Sequence, residues 1–238
     1  MPIKAVVFDM DDTLYYESDY VRSGMHELEK WVMKNYSVNG FYGIAMNFFE
    51  TGENKYIFNK TLDLLKIPYD EKIIQKMINV YRSHKPSILL LDDAKWVLNH
   101  IEKKVKVGLI SDGFLEAQIN KVQSLGLTQK FHSIILTDQF GRNHWKPSQR
   151  PYEQICINLQ VSHDECMYIG DNVKKDFVTA NKLGWKTVHV ERENGVYSNI
   201  TEKQEYMAHY KINNLKKISV IPEFQHLFIT YDKEATYS

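Results

Sequence analysis

The stretch Ala5-Val6-Val7-Phe8-Asp9-Met10-Asp11-Asp12-Thr13-Leu14 runs from unbroken apolar residues straight into carboxylates. A short apolar run that ends at a charge suits a strand buried on both faces of a parallel sheet. The arrangement recurs along the chain. Val105 to Ile110 ends at Ser111-Asp112-Gly113, and Ser133 to Leu136 precedes Thr137-Asp138. Met167-Tyr168-Ile169 ends at Gly170-Asp171-Asn172, and Trp185 to Val190 is the last such run. Helical spacing fills the intervals. Ala94, Val97, Leu98 and Ile101 share one helix face, and Leu115, Ile119 and Val122 share another before Gly126. Pro151 suits the first turn of a helix carrying Tyr152, Ile155 and Leu159. Phe177, Ala180 and Leu183 mark one more, closed by Gly184. Strand and helix alternate, which predicts an α/β fold with a doubly wound parallel sheet.

One stretch breaks the alternation. From about Tyr16 to about Leu90 the pattern is helical only. Val21, Met25, Leu28 and Val32 make one stripe, and Ile44, Phe48 and Phe49 a short second helix. Phe58, Leu62 and Leu65 make a third, and Ile73, Met77, Ile78 and Tyr81 a fourth, with breaks at Asn39-Gly40, Thr51-Gly52 and Ile67-Pro68. The spacing predicts a small helical bundle over residues 16–90, inserted into a core made of residues 1–15 and 91–238. Its aromatics, among them Trp31, Phe41, Tyr42, Phe58 and Tyr56, read as packing. The tail after Pro222 shows no clear period.

Composition narrows the function classes. The chain has 238 residues, with 30 Lys plus Arg against 30 Asp plus Glu. No basic excess points to nucleic acid, and no acidic tail points to a disordered partner segment. The N-terminal apolar run is interrupted too soon for a signal peptide, and no later run approaches a membrane span. Cys156 and Cys166 give neither a disulfide framework nor a metal spacing and read as buried free thiols. These features predict a cytoplasmic protein without a membrane or nucleic-acid partner, monomeric or homodimeric.

In an open parallel sheet, ligands bind in the crevice at the carboxyl ends of the strands. Asp9, Ser111 and Asp171 sit at such ends, and Lys146 lies just before a helix. Taken singly, each is an ordinary cap or turn residue. Taken together, Asp9, Asp11, Asp171 and Asp176 crowd one crevice with negative charge. Two like charges about 4 Å apart at an effective dielectric near 20 repel by about 4 kcal/mol. A fold stable by roughly 5–15 kcal/mol needs compensation for such pairs. Lys146 and a divalent cation supply it, and magnesium, with its hard oxygen ligands and retained waters, fits best.

These four segments, Asp9-Met10-Asp11-Asp12-Thr13-Leu14, Ser111-Asp112-Gly113, Lys146-Pro147 and Gly170-Asp171-Asn172 with Asp176, resemble the four motifs of the haloacid dehalogenase-like hydrolase superfamily, in its phosphatase branch. The bundle between the first and second motifs is similar to that family's helical cap on a Rossmann-like core. The resemblance implies a nucleophile at Asp9 that forms an aspartyl-phosphate, and a general acid and base at Asp11. It implies that Ser111 and Lys146 grip the phosphoryl oxygens, with backbone N–H groups near Asp112 helping. Magnesium would take Asp9, the Asp11 carbonyl and Asp171, and Asp176 would hold a metal-bound water or orient Lys146. Asp11 separates phosphatases from the carbon-attacking dehalogenases, because an alkoxide leaving group needs a proton and a halide does not. Asp12 stands where many relatives carry glycine. Tyr15 and Tyr16 are candidates for the site entrance, and Arg150 for an anionic substrate.

The expected function is hydrolysis of a small phosphate ester, a sugar phosphate or a nucleoside monophosphate. A phosphomutase would use the same residues. A phosphonate-cleaving enzyme needs a cap lysine, for which Lys30, Lys34, Lys55 and Lys60 are candidates, although surface charge explains them more simply. A regulatory or phospho-ligand-binding protein is the alternative from another class. A nicotinamide enzyme is disfavoured because no G-x-G-x-x-G follows the first strand.

Overall fold

The computed structural model describes residues 2–101, 103–193, 195–196 and 202–228. The apolar runs form strands β1 (Ala5–Phe8), β2 (Lys106–Ser111), β3 (Ser133–Leu136), β4 (Cys166–Gly170) and β5 (Lys186–Val190). A further strand, β6 (Tyr210–Ile212), completes a six-stranded sheet of order β3-β2-β1-β4-β5-β6, parallel throughout. Nothing in the apolar pattern of the sequence marks β6. It is a short edge strand whose Tyr-Lys-Ile is only partly buried, so it lacks the apolar run that marks the interior strands. Every residue of β1 and β4 is buried, which explains why their sequences do not alternate.

Chain winding reverses between β1 and β4, and the register there aligns Phe8 with both Leu109 and Ile169. The residues one step beyond, Asp9 and Gly170-Asp171, therefore emerge side by side. One core layer lies against Tyr152, Ile155, Cys156, Tyr168, Phe177 and Trp185.

The helices are α1 (Glu17–Tyr36), α2 (Phe41–Glu50), α3 (Ile57–Leu64), α4 (Glu71–Ser83), α5 (Asp92–Ile101), α6 (Leu115–Ser124), α7 (Arg150–Leu159), α8 (Val178–Lys182) and α9 (Gln225–Phe228). Two compact units result. The sheet unit contains Met1–Tyr16, Leu90–Asp112 and Leu127–Ser238. The helical unit contains Glu17–Leu89 and also Gly113–Gly126, so α6 groups with the inserted bundle and not with the residues that follow it. Within that unit, the α1 stripe Val21, Met25, Leu28 and Val32 is buried against Phe41, Leu62 and Met77. Asp70 starts α4 as an N-cap, accepting the Ile73 N–H at 2.8 Å. Lys121 of α6 lies 4.2 Å from the Tyr20 ring, which itself meets Tyr81 edge-on. Of the aromatics expected to pack, Trp31, Phe41, Tyr42, Phe49 and Phe58 join this core, whereas Tyr56 is exposed and half-buried Phe48 lies outside it, 5.2 Å from Lys60 Nζ.

A buried ion pair fastens the sheet unit behind the β1 loop. Arg192 donates to Asp93 of α5 at 2.6 and 3.2 Å and to the Thr13 carbonyl at 2.6 Å. Asp93 also accepts the Leu215 N–H at 2.8 Å. Removing one partner of such a pair strands the other charge in a dry site. Asp93→Ala is predicted to lower unfolding free energy by about 3–5 kcal/mol in urea denaturation; a loss under 1 kcal/mol would show the pair is not structural.

Candidate active site

Lys146 organises the strand ends. Its ammonium is fully buried and donates to Asp9, to Asp176 Oδ1 at 2.8 Å and to Tyr168 Oη at 3.0 Å. Three donors meet three oxygens from separate stretches of chain. The Lys146 backbone is held as well: its N–H donates to Asp112 Oδ1 at 3.0 Å. That carboxylate also accepts from Thr137 Oγ1 at 2.8 Å and from Lys175 Nζ at 3.0 Å. The Asp112 side chain thus anchors the lysine segment to the end of β2.

Asp176 is pinned from both sides. Its Oδ2 accepts the Asn172 N–H at 2.9 Å, and its carbonyl accepts from Tyr152 Oη at 3.0 Å. Gly170 makes room for it, because a Cβ there would strike the Asp176 carboxylate. Asp9, Asp171 and Asp176 are all buried, with one carboxylate oxygen of each within 4.8 Å of the others. They are the cluster among the described residues suited to a metal ion.

The electrostatics follow from burial and neighbours. Burial pushes Asp9 up to about 7 against the pull of Lys146, with Asp176 adding to the rise. Asp171 is raised well above the usual carboxylate range by burial, then by Asp9 and Asp176. Burial works against the Lys146 charge, yet Asp176 and Asp9 hold its pKa well above the ordinary lysine value. Burial also opposes ionisation of Asp112, but Lys146 and Lys175 together lower its pKa.

The remaining expected residues fall as follows. Ser111 is buried at the end of β2. Asp11 is partly exposed and accepts a hydrogen bond from Tyr15 Oη, while Tyr15 itself is buried. Asp11 contributes no carboxylate to the buried trio, where Asp176 stands beside Asp9 and Asp171. Tyr16 is partly buried just ahead of α1. Arg150 lies outside the cluster, exposed, with its guanidinium 4.6 Å from the Phe140 ring and 3.4 Å from His144 Nε2. Asp12 adopts φ 50° and accepts the Val196 N–H at 2.7 Å. Such a left-handed backbone favours glycine, and Asp is among the residues that tolerate it.

Tyr168, Thr137, Tyr152 and Lys175 join the site without a sequence signal that singles them out. The three tyrosine and threonine residues lie within or beside apolar runs, a signal that does not separate a core hydroxyl from one aimed at a site. Lys175, next to Asp176, was the most legible of them.

A profile described as haloacid dehalogenase-like hydrolase matches residues 3–184, spanning all four motifs. The chain belongs to the haloacid dehalogenase-like hydrolase family. Among relatives of this hydrolase, a glyceraldehyde 3-phosphate phosphatase from Methanocaldococcus jannaschii is 31% identical over 91% of this chain and 95% of its own. An N-acylneuraminate-9-phosphatase from Homo sapiens is 21% identical over 92% of this chain and 93% of its own. Among solved structures, the putative HAD-hydrolase YfnB from Bacillus subtilis, bound to magnesium, superposes with a TM-score of 0.67 at 16% identity. That alignment covers 93% of this chain and 99% of YfnB, and it speaks for the fold. No helix among the described residues is long and apolar enough to cross a membrane.

The depressed pKa of Asp112 carries a sign. Its folded pKa lies below the unfolded value, so its stabilisation is present above the ordinary carboxylate range and is lost as pH falls through the folded pKa. Asp112→Asn is therefore predicted to flatten the acid limb of a stability-versus-pH curve measured by thermal unfolding. An unchanged acid limb would mean that the two lysines do not hold this carboxylate ionised.

Proposed function

We propose that this hydrolase is a magnesium-dependent phosphatase of small sugar phosphates, working through a phosphoryl group carried on Asp9. The observation that carries the reading is the buried Lys146 ammonium held among Asp9, Asp176 and Tyr168, beside the trio Asp9, Asp171 and Asp176. Phosphoryl transfer asks chiefly for positioning and for charge stabilisation on the equatorial oxygens. A fixed cation beside a carboxylate nucleophile supports both needs.

The donor set fits a hard divalent ion: the trio offers only carboxylate oxygens, and burial and mutual repulsion raise two of the three above the usual range. Asp9 and Asp171 would hold magnesium, with the Asp11 carbonyl. When bound, magnesium neutralises this charge and the developing charge on a phosphate.

The protein groups have the following parts. An Asp9 carboxylate oxygen attacks phosphorus as the bond to the leaving oxygen breaks. Asp11 gives that oxygen its proton. Asp11 then takes a proton from water, whose oxygen attacks phosphorus and frees the Asp9 carboxylate and inorganic phosphate. Lys146 and Ser111 stabilise the phosphoryl oxygens, and Asp176 orients Lys146. Asp112, with Thr137 and Lys175, holds the lysine backbone in register. Asp11 supports a phosphate ester over a haloacid as substrate, because an alkoxide must be protonated as it leaves.

The archaeal relatives make glyceraldehyde 3-phosphate the first candidate substrate. Phosphate release from glyceraldehyde 3-phosphate, N-acylneuraminate 9-phosphate, a nucleoside monophosphate and pyrophosphate tests the reading, with and without magnesium. Release is expected to need the metal, to be fastest with a sugar phosphate, and to fall to background in Asp9→Asn. Metal-independent release, or near-normal turnover by the mutant, would remove the mechanism. A preference for the nucleotide or pyrophosphate would remove the substrate class alone.

A further inference from the structure

The chain has two cysteines, and the fold brings them together. Cys156 projects from α7 and Cys166 opens β4, and their sulfurs lie 3.6 Å apart. The pair sits away from the strand-end cluster, under a different part of the sheet unit. Cys156 lines an open surface cavity of about 650 Å³ together with Glu153, Ile157, Gln160 and His163. Cys166 is fully buried behind it and donates to the Ser162 carbonyl at 3.2 Å.

A third group completes the arrangement. His163 Nδ1 lies 3.3 Å from Cys156 Sγ and accepts the Trp185 indole N–H at 2.8 Å. Indole nitrogen only donates, so Nδ1 presents its lone pair, and the neutral ring carries its proton on Nε2. Nδ1 commits that lone pair to the indole N–H, so His163 borders Cys156 as a fixed neighbour and not as its base. The two sulfurs also differ. The contact between the two sulfurs lowers the pKa of Cys156 against the effect of burial, whereas Cys166 is raised by the same contact and by burial. Cys156 borders the cavity with its thiol below the ordinary pKa, and Cys166 is a more deeply sheltered thiol within reach.

We propose that Cys156 and Cys166 form an oxidisable dithiol, in which peroxide entering the cavity converts Cys156 to a sulfenic acid that Cys166 resolves to an intrachain disulfide. In the first step the Cys156 thiolate attacks one peroxide oxygen and the O–O bond breaks. The departing hydroxide takes the proton that left Cys156, giving water. In the second step the Cys166 sulfur attacks the sulfenic sulfur, the S–O bond breaks, and that hydroxide leaves as water with the Cys166 proton. Both sulfurs are oxidised, and the peroxide is reduced to two waters. The sulfurs must close by about 1.5 Å to reach bonding distance. The bond ties α7 to β4, the elements that carry Tyr152 and Tyr168.

The test is intact-mass spectrometry of the full-length protein after hydrogen peroxide, without reductant, with dithiothreitol reversal. The wild type is expected to lose about two mass units and both free thiols, and to regain them on reduction. Cys166→Ser is expected to stop at a sulfenic acid on Cys156 that dimedone traps, and Cys156→Ser to keep a free Cys166. Trp185 offers a second readout, because its partner His163 adjoins the reacting sulfur: tryptophan emission is expected to change with the mass in the wild type only. The proposal fails if both thiols of the folded wild type survive peroxide that oxidises free cysteine. It fails equally if oxidation ends in sulfinic acid or in a disulfide between chains.

Discussion

The structure of the site depends on burying one ammonium group among carboxylates. Lys146 cannot leave water cheaply, and neither can Asp9 or Asp176; each makes the other tolerable. The compensation is unequal. Burial still drives Asp9 up to about 7 and Asp171 higher than its normal range, so one lysine does not balance the cluster. That imbalance leaves excess negative charge, which a divalent cation would offset. Much of the surrounding polar structure serves the lysine. Asp112 holds its backbone, Thr137 and Lys175 hold Asp112, and Tyr168 and Asp176 take its remaining donors.

The sheet makes this convergence possible. Asp9, Ser111 and Asp171 are far apart in sequence, yet parallel pairing in register ends their strands at one level. The winding reversal between β1 and β4 opens the crevice where Asp9 and Asp171 meet. Asp176 reaches the same place through the short turn after β4, helped by the bare backbone of Gly170. Behind the β1 loop, Arg192 and Asp93 hold the Thr13 carbonyl, and Asp12 accepts the Val196 N–H. The loop after β1 is thereby fastened to segments that follow β5, a link that sequence order conceals.

The interior strands were legible because burial on both faces writes itself as an apolar run. The strand-end residues were legible for a related reason: a charge that terminates such a run has few bland explanations once several recur. Edge strand β6 was not, since a half-exposed Tyr-Lys-Ile resembles ordinary surface chain. Nor was the grouping of α6 with the inserted helices, because amphipathic spacing tells which face is buried and not which neighbour buries it. Tyr168 and Thr137 escaped for the same reason: a hydroxyl in a buried run needs a partner, and spacing does not name it. The cysteines are the buried free thiols that their spacing implies, but spacing does not show that folding sets them in van der Waals contact.

The central claim is that Asp9, steadied by Lys146, carries the phosphoryl group between substrate and water. Acid quench of the magnesium-loaded enzyme during turnover, followed by borohydride reduction and peptide mapping, reads this directly. An acyl phosphate at Asp9 is reduced to homoserine at that position, whereas a free carboxylate is not. The account predicts homoserine at Asp9, present only with substrate and metal. Steady turnover with Asp9 unmodified, or with the label on another residue, would contradict it.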